Sequence, residues 1–546
     1  MRRPVPAGFR SPAIGVCLLL LFRLALFAQD NLRPVPTVRH AASVVASEPL
    51  RELAKLPMPP RYVFSPSNSL RQSSGQNFSI IENGAGLGLG FSGFSTTFNY
   101  PDTNIAVGSN NQIVQVANNS LMVFDKTLKA LTPLMSFSQI WGGAGGECST
   151  YTPEGHPVIQ YDSLAQRWIY GENVVTGAPN NYSGYVCIAV SMTSDATGQY
   201  WLYQYSLGNG YPDLHKFAVW PSGFFQSNDN FGGNARTYAG AYECAYDRVT
   251  MEAGGDAGQV CFQLTTSDFA LLPADLDSPI EPPTGQDEFL FSLWDSSHLS
   301  LYSFHTDWVD PTKAFITGGG GSQLFAVPPF TLACNGQGLG VCVPQLNSNV
   351  LLDVLGDRLP YRLVYYNGIL PKVPPISLPA PFQHWLLMHD VTAAGGNTAE
   401  RWYEFYASVY NTPVTGIKLL QYGTYAPDST NHRWMGSIAR DKNGNIMMGY
   451  SESSASIYPS IYITGRAFND PPGTMESELQ VIAGSGSYSG IFDHNLNRWG
   501  DYTSMRLDPA DHCTLWYTNE YYTITGTSNW NTQINSARFS NCRPDQ

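Results

Sequence analysis

Charge is what this chain has least of: Asp, Glu, Lys and Arg make up only 13% of it, no more than the aromatic residues. Runs rich in Ala, Glu, Lys and Leu are also scarce, which argues against an α-helical protein and for strands. The few charges are unbalanced, with 43 acids against 30 bases and a formal net charge of -13. A chain this acidic is a poor partner for nucleic acid or for an anionic membrane surface. Beyond residue 28 no apolar run reaches membrane length, so no membrane span is expected. The nine cysteines include no C-x-x-C, which weakens a zinc or redox reading. Also missing are G-x-S-x-G, H-E-x-x-H, a Walker loop and a dinucleotide fingerprint, which removes the commonest marked chemistries.

What is present begins with an export signal. Residues 1–28 carry Arg2, Arg3 and Arg10, then an apolar run over 13–27 broken only by Arg23. This reads as a secretory signal peptide, followed by a polar, Pro-rich stretch. Its removal takes away four arginines and no acid, shifting the formal charge from -13 to -17. Cys17 leaves with it, so eight cysteines remain: Cys148, Cys187, Cys244, Cys261, Cys334, Cys342, Cys513 and Cys542. In an exported protein, periplasmic or extracellular, an even count predicts disulfides, and nearest-neighbour pairing gives 148 with 187, 244 with 261, 334 with 342 and 513 with 542. Residues 29–94 are rich in Pro, Ser, Gly and Asn without periodicity, and read as a linker, an irregular arm or a coating segment.

From residue 95 to 542 one layout returns. In 433–452, RWMGSIARDKNGNIMMGYSE, a short strand at 437–439 precedes a turn at Asp441, Asn443 and Gly444 and a second strand at 446–450, which is a β-hairpin. Residues 504–520 repeat it, with Ser504 at the place of Ser437 and Asp508 at that of Asp441. Further copies start near 102, 156, 214 and 358, and the wide gap before the last predicts a hidden copy near 289–325. Seven such units predict an all-β chain folded as a seven-bladed β-propeller, each blade a four-stranded antiparallel sheet; the spacing also allows six or eight blades. A pair of β-sandwiches is the competing architecture, but would not keep so constant a hairpin.

The fragment IARDKNGNIMMG at 438–449 resembles the inner hairpins of NHL-type propellers and, less closely, the Asp-box of sialidase-like propellers, lacking the Trp of a true Asp-box. With HPVIQYDSLAQRWIY, YPDLHKFAVWP and RWGDYTSM, the region also resembles secreted bacterial propeller proteins. The resemblance implies a fold and says little of chemistry.

Antiparallel hairpins put the residues before strand one and after strand two at one end. That gathers Asp102, His156, Asp213, His215, Asn228, Arg358, Arg433, Trp434, Arg498 and Trp499 as candidate ligand-binding residues around one mouth of a central channel. The carboxylates there, Glu172, Glu452, Asp501 and Glu520, are the catalytic candidates. Two functions follow. One is an exported propeller gripping a glycan, peptide or extracellular protein ligand at the mouth. The other is a glycoside hydrolase with an acid and a base or nucleophile from the carboxylates; its sialidase-like form would hold a sugar carboxylate with Arg358, Arg433 and Arg498 and attack with Tyr517. No cofactor and no catalytic metal are expected, with structural calcium as the exception. His384 and His389 stand five residues apart, which suits neither a strand face nor a helix, and Asp441 with Asn443 and Asn445 mimics a calcium loop but has Ile446 where Gly is needed.

Overall fold

The computed structural model describes residues 34–53, 76–88, 100–234, 237–336, 340–370, 380–408, 416–490 and 497–544. The expected signal peptide lies outside them. The chain is all-β, and among the described residues no helix is long and apolar enough to cross a membrane.

Most strands fall into four-stranded antiparallel units that follow one another along the chain; the fourth and fifth join in one sheet, and Val341–Gln345 with Ser348–Asp353 forms a separate two-stranded hairpin. The first pairs Asn104–Val107, Gln112–Ala117, Ser120–Asp125 and Met135–Ser136, and the second runs from Val158–Asp162 to Tyr200–Asn209. The third runs from Tyr211–Trp220 to Gly258–Gln263. A fourth begins at Leu272–Leu276 and continues through Glu288–Asp295, His298–His305 and Phe315–Thr317, in the stretch expected to hide a copy. Its innermost strand pairs in parallel with Leu363–Leu370, which opens the fifth, so that Asp275 lies opposite Val364. The sixth spans His432–Arg440 to Leu479–Ile482 and the seventh starts at Ser504–Leu507. The first strand of a unit lies against the opening strand of the next, except that the fifth unit meets His432–Arg440 through its second strand, Ala380–Thr392, and Ser504–Leu507 packs on Asn104–Val107, so the succession of units returns to its start. Apolar side chains fill the spaces between sheets, as with Phe217, Tyr205 and Tyr246, or Tyr450, Tyr517 and Ile463.

The repeated serines have a physical role at this ring. An innermost strand leaves backbone groups facing the axis without a ladder partner, and buried ones must be satisfied. Ser437 Oγ accepts from Met505 N at 3.0 Å, and Ser504 Oγ accepts from Ile105 N at 3.0 Å, each stitching its unit to the following one. The turn of the sixth unit is the expected one: Asp441 Oδ1 accepts from Asn443 N and Asn445 N, and Gly444 takes a φ of 84°. That use of Asp441 gives the calcium-loop resemblance a structural account.

Within the stretch 29–94, the described residues 34–53 and 76–88 include strands. Thr37–His40 and Ser43–Ala46 add outer strands to the third and second units, and Phe78–Gly88 supplies the outermost strand of the seventh by pairing with Trp530–Phe539. Their sequences lack alternation because an outer strand needs only backbone partners. The four cysteine pairs are those expected, 148–187, 244–261, 334–342 and 513–542. The last ties the end of the chain to the hairpin of the seventh unit.

Across the axis lies a polar plug. Arg362 Nε donates to Asp275 Oδ2 at 2.9 Å, and its Nη1 donates to Asp277 Oδ2 at 2.9 Å and to Met505 O at 3.0 Å. Arg506 pairs with Asp275 as well, and donates to Ile105 O at 2.9 Å, Ile159 O at 3.2 Å and the Tyr361 hydroxyl at 2.8 Å. Burial works against the charge of Asp275, but the two guanidinium groups outweigh it and hold the carboxyl below its usual range. Removing one partner of such a group leaves a buried charge uncompensated. Arg362→Met is expected to destabilise the fold by about 3–5 kcal/mol, read as a fall in unfolding temperature; an unchanged midpoint would show the plug to be dispensable.

Candidate functional site

At the end of the ring where inner strands begin, the chain passes through left-handed backbone just before the strand in several units. Asp102 has a φ of 45°, Leu214 of 48° and Met435 of 52°, each two residues before the position filled by Asn104, Lys216 or Ser437, while glycine serves at Gly155 with a φ of 96°. Non-glycine residues hold this conformation only where their surroundings enforce it. The turn directs the flanking side chains toward the axis instead of along the sheet.

Five of the expected residues converge there. His156 stands between two carboxylates, with Nδ1 2.7 Å from Asp102 Oδ2 and Nε2 3.1 Å from Asp213 Oδ1. The other oxygen of Asp102 accepts from Asp501 N at 2.7 Å, and Arg498 Nη1 lies 3.3 Å from Asp501 Oδ2 and 3.9 Å from Asp353 Oδ2. The ring of Tyr502 lies 5.6 Å from that of His156, and Arg498 covers Tyr100 at 5.5 Å. Asp102 is fully buried, whereas the side chain of Asp213 is 26% exposed and meets solvent. Glu154, bonded by the Tyr211 hydroxyl, continues the mouth outward.

Environment separates these acids. Burial, reinforced by Asp501 and opposed by His156, lifts Asp102 to about 6. Burial acts on Asp213 too, but its hydrogen bond and charge contact with His156 prevail and set it at about 2. Asp353 rises to about 7 through burial, against the pull of Arg498. Burial disfavours a charged His156, yet Asp102 and Asp213 outweigh it and raise the imidazole well above its ordinary value.

Other expected residues take different places. His215 lies beneath, its backbone oxygen accepting from the Tyr502 hydroxyl at 2.8 Å; burial and the neighbouring His156 lower its ring to about 3. Arg358 borders the mouth, paired with Asp357 at 2.8 Å and resting 4.8 Å over Phe269. Glu520 is buried, one oxygen accepting from Gly500 N and the other without a hydrogen bond; burial raises its carboxyl well above the usual range. Glu172 is buried against the Tyr170 hydroxyl, and Asn228 is bonded to Asn173 at 2.8 Å inside the sheets.

Three placements correct the sequence expectation. Trp434 and Trp499 do not face the channel: both are core residues, packed on each other at 5.7 Å, because an indole buries more apolar area between sheets than it could at a polar mouth. Arg433 is held by Glu478 at 2.7 Å, Asp428 at 2.8 Å and Glu452 at 3.3 Å, a cluster of its own within the sixth unit. The arginine trio of a sialidase-like site is therefore not assembled. Tyr517 is fully buried, its hydroxyl accepting from Asn519 Nδ2 at 2.8 Å, so it cannot reach a ligand. His384 and His389, whose spacing spoke against a metal role, are buried structural histidines, the first beside Glu404 at 3.1 Å and the second on Tyr403.

The plug residues Arg506, Asp275 and Asp277 went unnoticed in the sequence, as did Asp353 and Glu154; Arg362, expected beside Arg358 at the mouth, lies in the plug instead. Glu154 and Tyr211 each stand two places before a residue that was noticed, and that offset was their only signal. Below the mouth a cavity lined by Lys216, Leu355, Arg358, Tyr361, Met435 and Asp501 has a volume of about 10 Å³. Such a space takes about one water molecule. Among the described residues one group could hold a metal: Asp102, His156 and Asp501 each bring a ligand atom to within 4.8 Å of the others.

No protein-family model and no curated protein matches this chain. Among solved structures it is similar to an α-L-arabinanase of Penicillium chrysogenum complexed with arabinobiose, at 7% identity and a TM-score of 0.33, over 85% of this chain and 100% of that one. It is also similar to the WD40 domain of SCAP from fission yeast, at 9% identity and a TM-score of 0.31, over 79% and 80%. A GH43 endo-arabinanase from Bacillus licheniformis follows at 9% and 0.27, over 70% and 99%. Likenesses this loose transfer no activity. The fold rests on the strand pairing above.

The Arg433 cluster gives a pH dependence. Burial and the adjacent Glu478 lift Glu452 to about 8 against the pull of Arg433, so the folded chain keeps this proton at pH values where the unfolded chain, near ~4.5, has lost it. Stability from this group therefore falls as pH rises from ~4.5 to about 8. Glu452→Gln should melt with wild type near pH 5 and roughly 3 °C above it at pH 8.5. Equal gaps at both pH values would refute the assignment.

Proposed function

We propose that the seven units are the blades of a seven-bladed propeller, exported to an oxidising compartment, and that it binds a glycan at the mouth formed by Asp102, His156, Asp213, Arg498 and Asp501. Four disulfides suit such a compartment. The observation that carries the reading is the partly exposed Asp213, fixed by His156, beside Arg498 and the tyrosines at 100 and 211. Acceptors and donors locked in orientation by ion pairs, next to aromatic rings, suit a neutral polyhydroxyl ligand whose hydroxyl groups need both. A blocked axis favours recognition of a chain end or a surface-exposed residue over threading.

Glycan cleavage is the second reading, favoured by one observation: Asp213 is held at about 2 while Asp353 rises to about 7. Carboxylates pushed apart in this way divide into base and acid. A glycan array combined with a reducing-end release assay separates the two. Wild type is expected to bind without release, and Asp213→Asn to weaken binding at least tenfold, about the effect of a charge-assisted hydrogen bond. Release by wild type that disappears in Asp213→Asn would establish cleavage; binding unchanged by Asp213→Asn would move the ligand elsewhere.

A further inference from the structure

The innermost part of the mouth is more than an ion-pair network. Asp102 Oδ2, His156 Nδ1 and Asp501 Oδ2 are all buried, and none has a hydrogen-bond partner. Asp102 Oδ2 and His156 Nδ1 stand 2.7 Å apart, but off the line a hydrogen bond requires. The three meet only in ion pairs, Asp501 Oδ2 lying 3.3 Å from Arg498 Nη1, and three buried polar atoms without a formed hydrogen bond in one place point to a ligand.

We infer that Asp102, His156 and Asp501 form a binding site for a divalent transition-series cation such as Mn²⁺ or Zn²⁺ at the base of the mouth. The donor set is one imidazole nitrogen and two carboxylate oxygens, which selects these ions over Ca²⁺, whose ligands are oxygens. A cation about 2.1 Å from each donor needs the donors ~3–4 Å apart; all three lie within 4.8 Å of one another, and Asp102 Oδ2 and His156 Nδ1, 2.7 Å apart, would have to part slightly to share it. The surroundings have the form that metal ligands require. Asp213 Oδ1 sits 3.1 Å from His156 Nε2, the carboxylate that fixes the tautomer and turns the Nδ1 lone pair inward. The second oxygen of Asp102 is engaged by Asp501 N at 2.7 Å, and the Tyr502 ring sets the imidazole plane.

Charge is in keeping with this. Around the site stand Asp102, Asp213, Asp353, Asp501 and Glu520, with Arg498 and Arg358 as the cations and His215 and Tyr100 as neutral neighbours. Arg498 reaches Asp501 only at 3.3 and 3.4 Å, leaving its oxygens short of full neutralisation. A bound cation would replace the proton that the imidazole otherwise carries between the two aspartates. The site holds whether or not the mouth takes a glycan, and its test uses no glycan.

The test is metal content and position on the full chain. After chelation and reloading with Mn²⁺ or Zn²⁺, about one ion per chain should survive desalting, with a rise in unfolding temperature. Crystals soaked in Mn²⁺ should show an anomalous peak between Asp102, His156 and Asp501. Asp501→Asn and His156→Gln should abolish retention, and Asp213→Asn should weaken it about tenfold. The inference is overturned if wild type retains neither ion, if Ca²⁺ alone is retained, or if the anomalous peak lies elsewhere. The wild-type measurements decide the matter even where a variant fails to fold.

Discussion

Two guanidinium groups on the axis hold the ring together. Apart from the parallel pair of Leu272–Leu276 and Leu363–Leu370, the inner strands turn an unpaired edge toward the centre, where water is scarce, and the polar groups of that edge must be met by side chains. Arg506 reaches oxygens of the first and second units, Ile105 and Ile159, and pairs with Asp275 of the fourth. Arg362 of the fifth takes Asp275, Asp277 and Met505 O of the seventh. Asp275 in turn accepts from Val219 N of the third at 3.1 Å. Neither arginine could be buried without its carboxylates, and neither carboxylate without its arginines. The network is thus satisfied only when the units stand in register around one axis.

This constraint also shapes the functional end. With the axis filled, the only place for a ligand to meet the convergent strand ends is the mouth, and the chain bends into left-handed backbone at Asp102, Leu214 and Met435 to direct side chains there. Acids that would repel each other in a flat array are kept apart in character by their neighbours. His156 makes Asp213 a permanent acceptor, while burial leaves Asp102 and Asp353 near neutrality in their ionisation. A site that mixes an exposed charge with half-ionised buried acids is suited to gripping a ligand or a cation.

Legibility in the sequence followed local rules. The hairpin of 433–452, the Asx turn at Asp441 and the cysteine pairs were readable because each depends on neighbours close in the chain. The convergence of Asp102, His156, Asp213, Arg498 and Asp501 was readable because repeats place equivalent residues at equivalent ends. Trp434 and Trp499 broke that rule: adjacent residues on a strand point to opposite sides, and a bulge between Trp434 and Ser437 changes which side is which. Arg433 was misplaced because its partners Asp428 and Glu478 lie on segments whose approach no local pattern announces.

The sequence by itself determined the strands, their turns, the disulfides and the end of each unit at which polar residues gather, since period-two pleating and turn chemistry are local. Only the tertiary structure decided that Phe78–Gly88 completes the last sheet, that two arginines fill the axis, and which acids share a histidine. Those outcomes depend on groups hundreds of residues apart finding the partners that burial demands, and no window along the chain contains both members of such a pair.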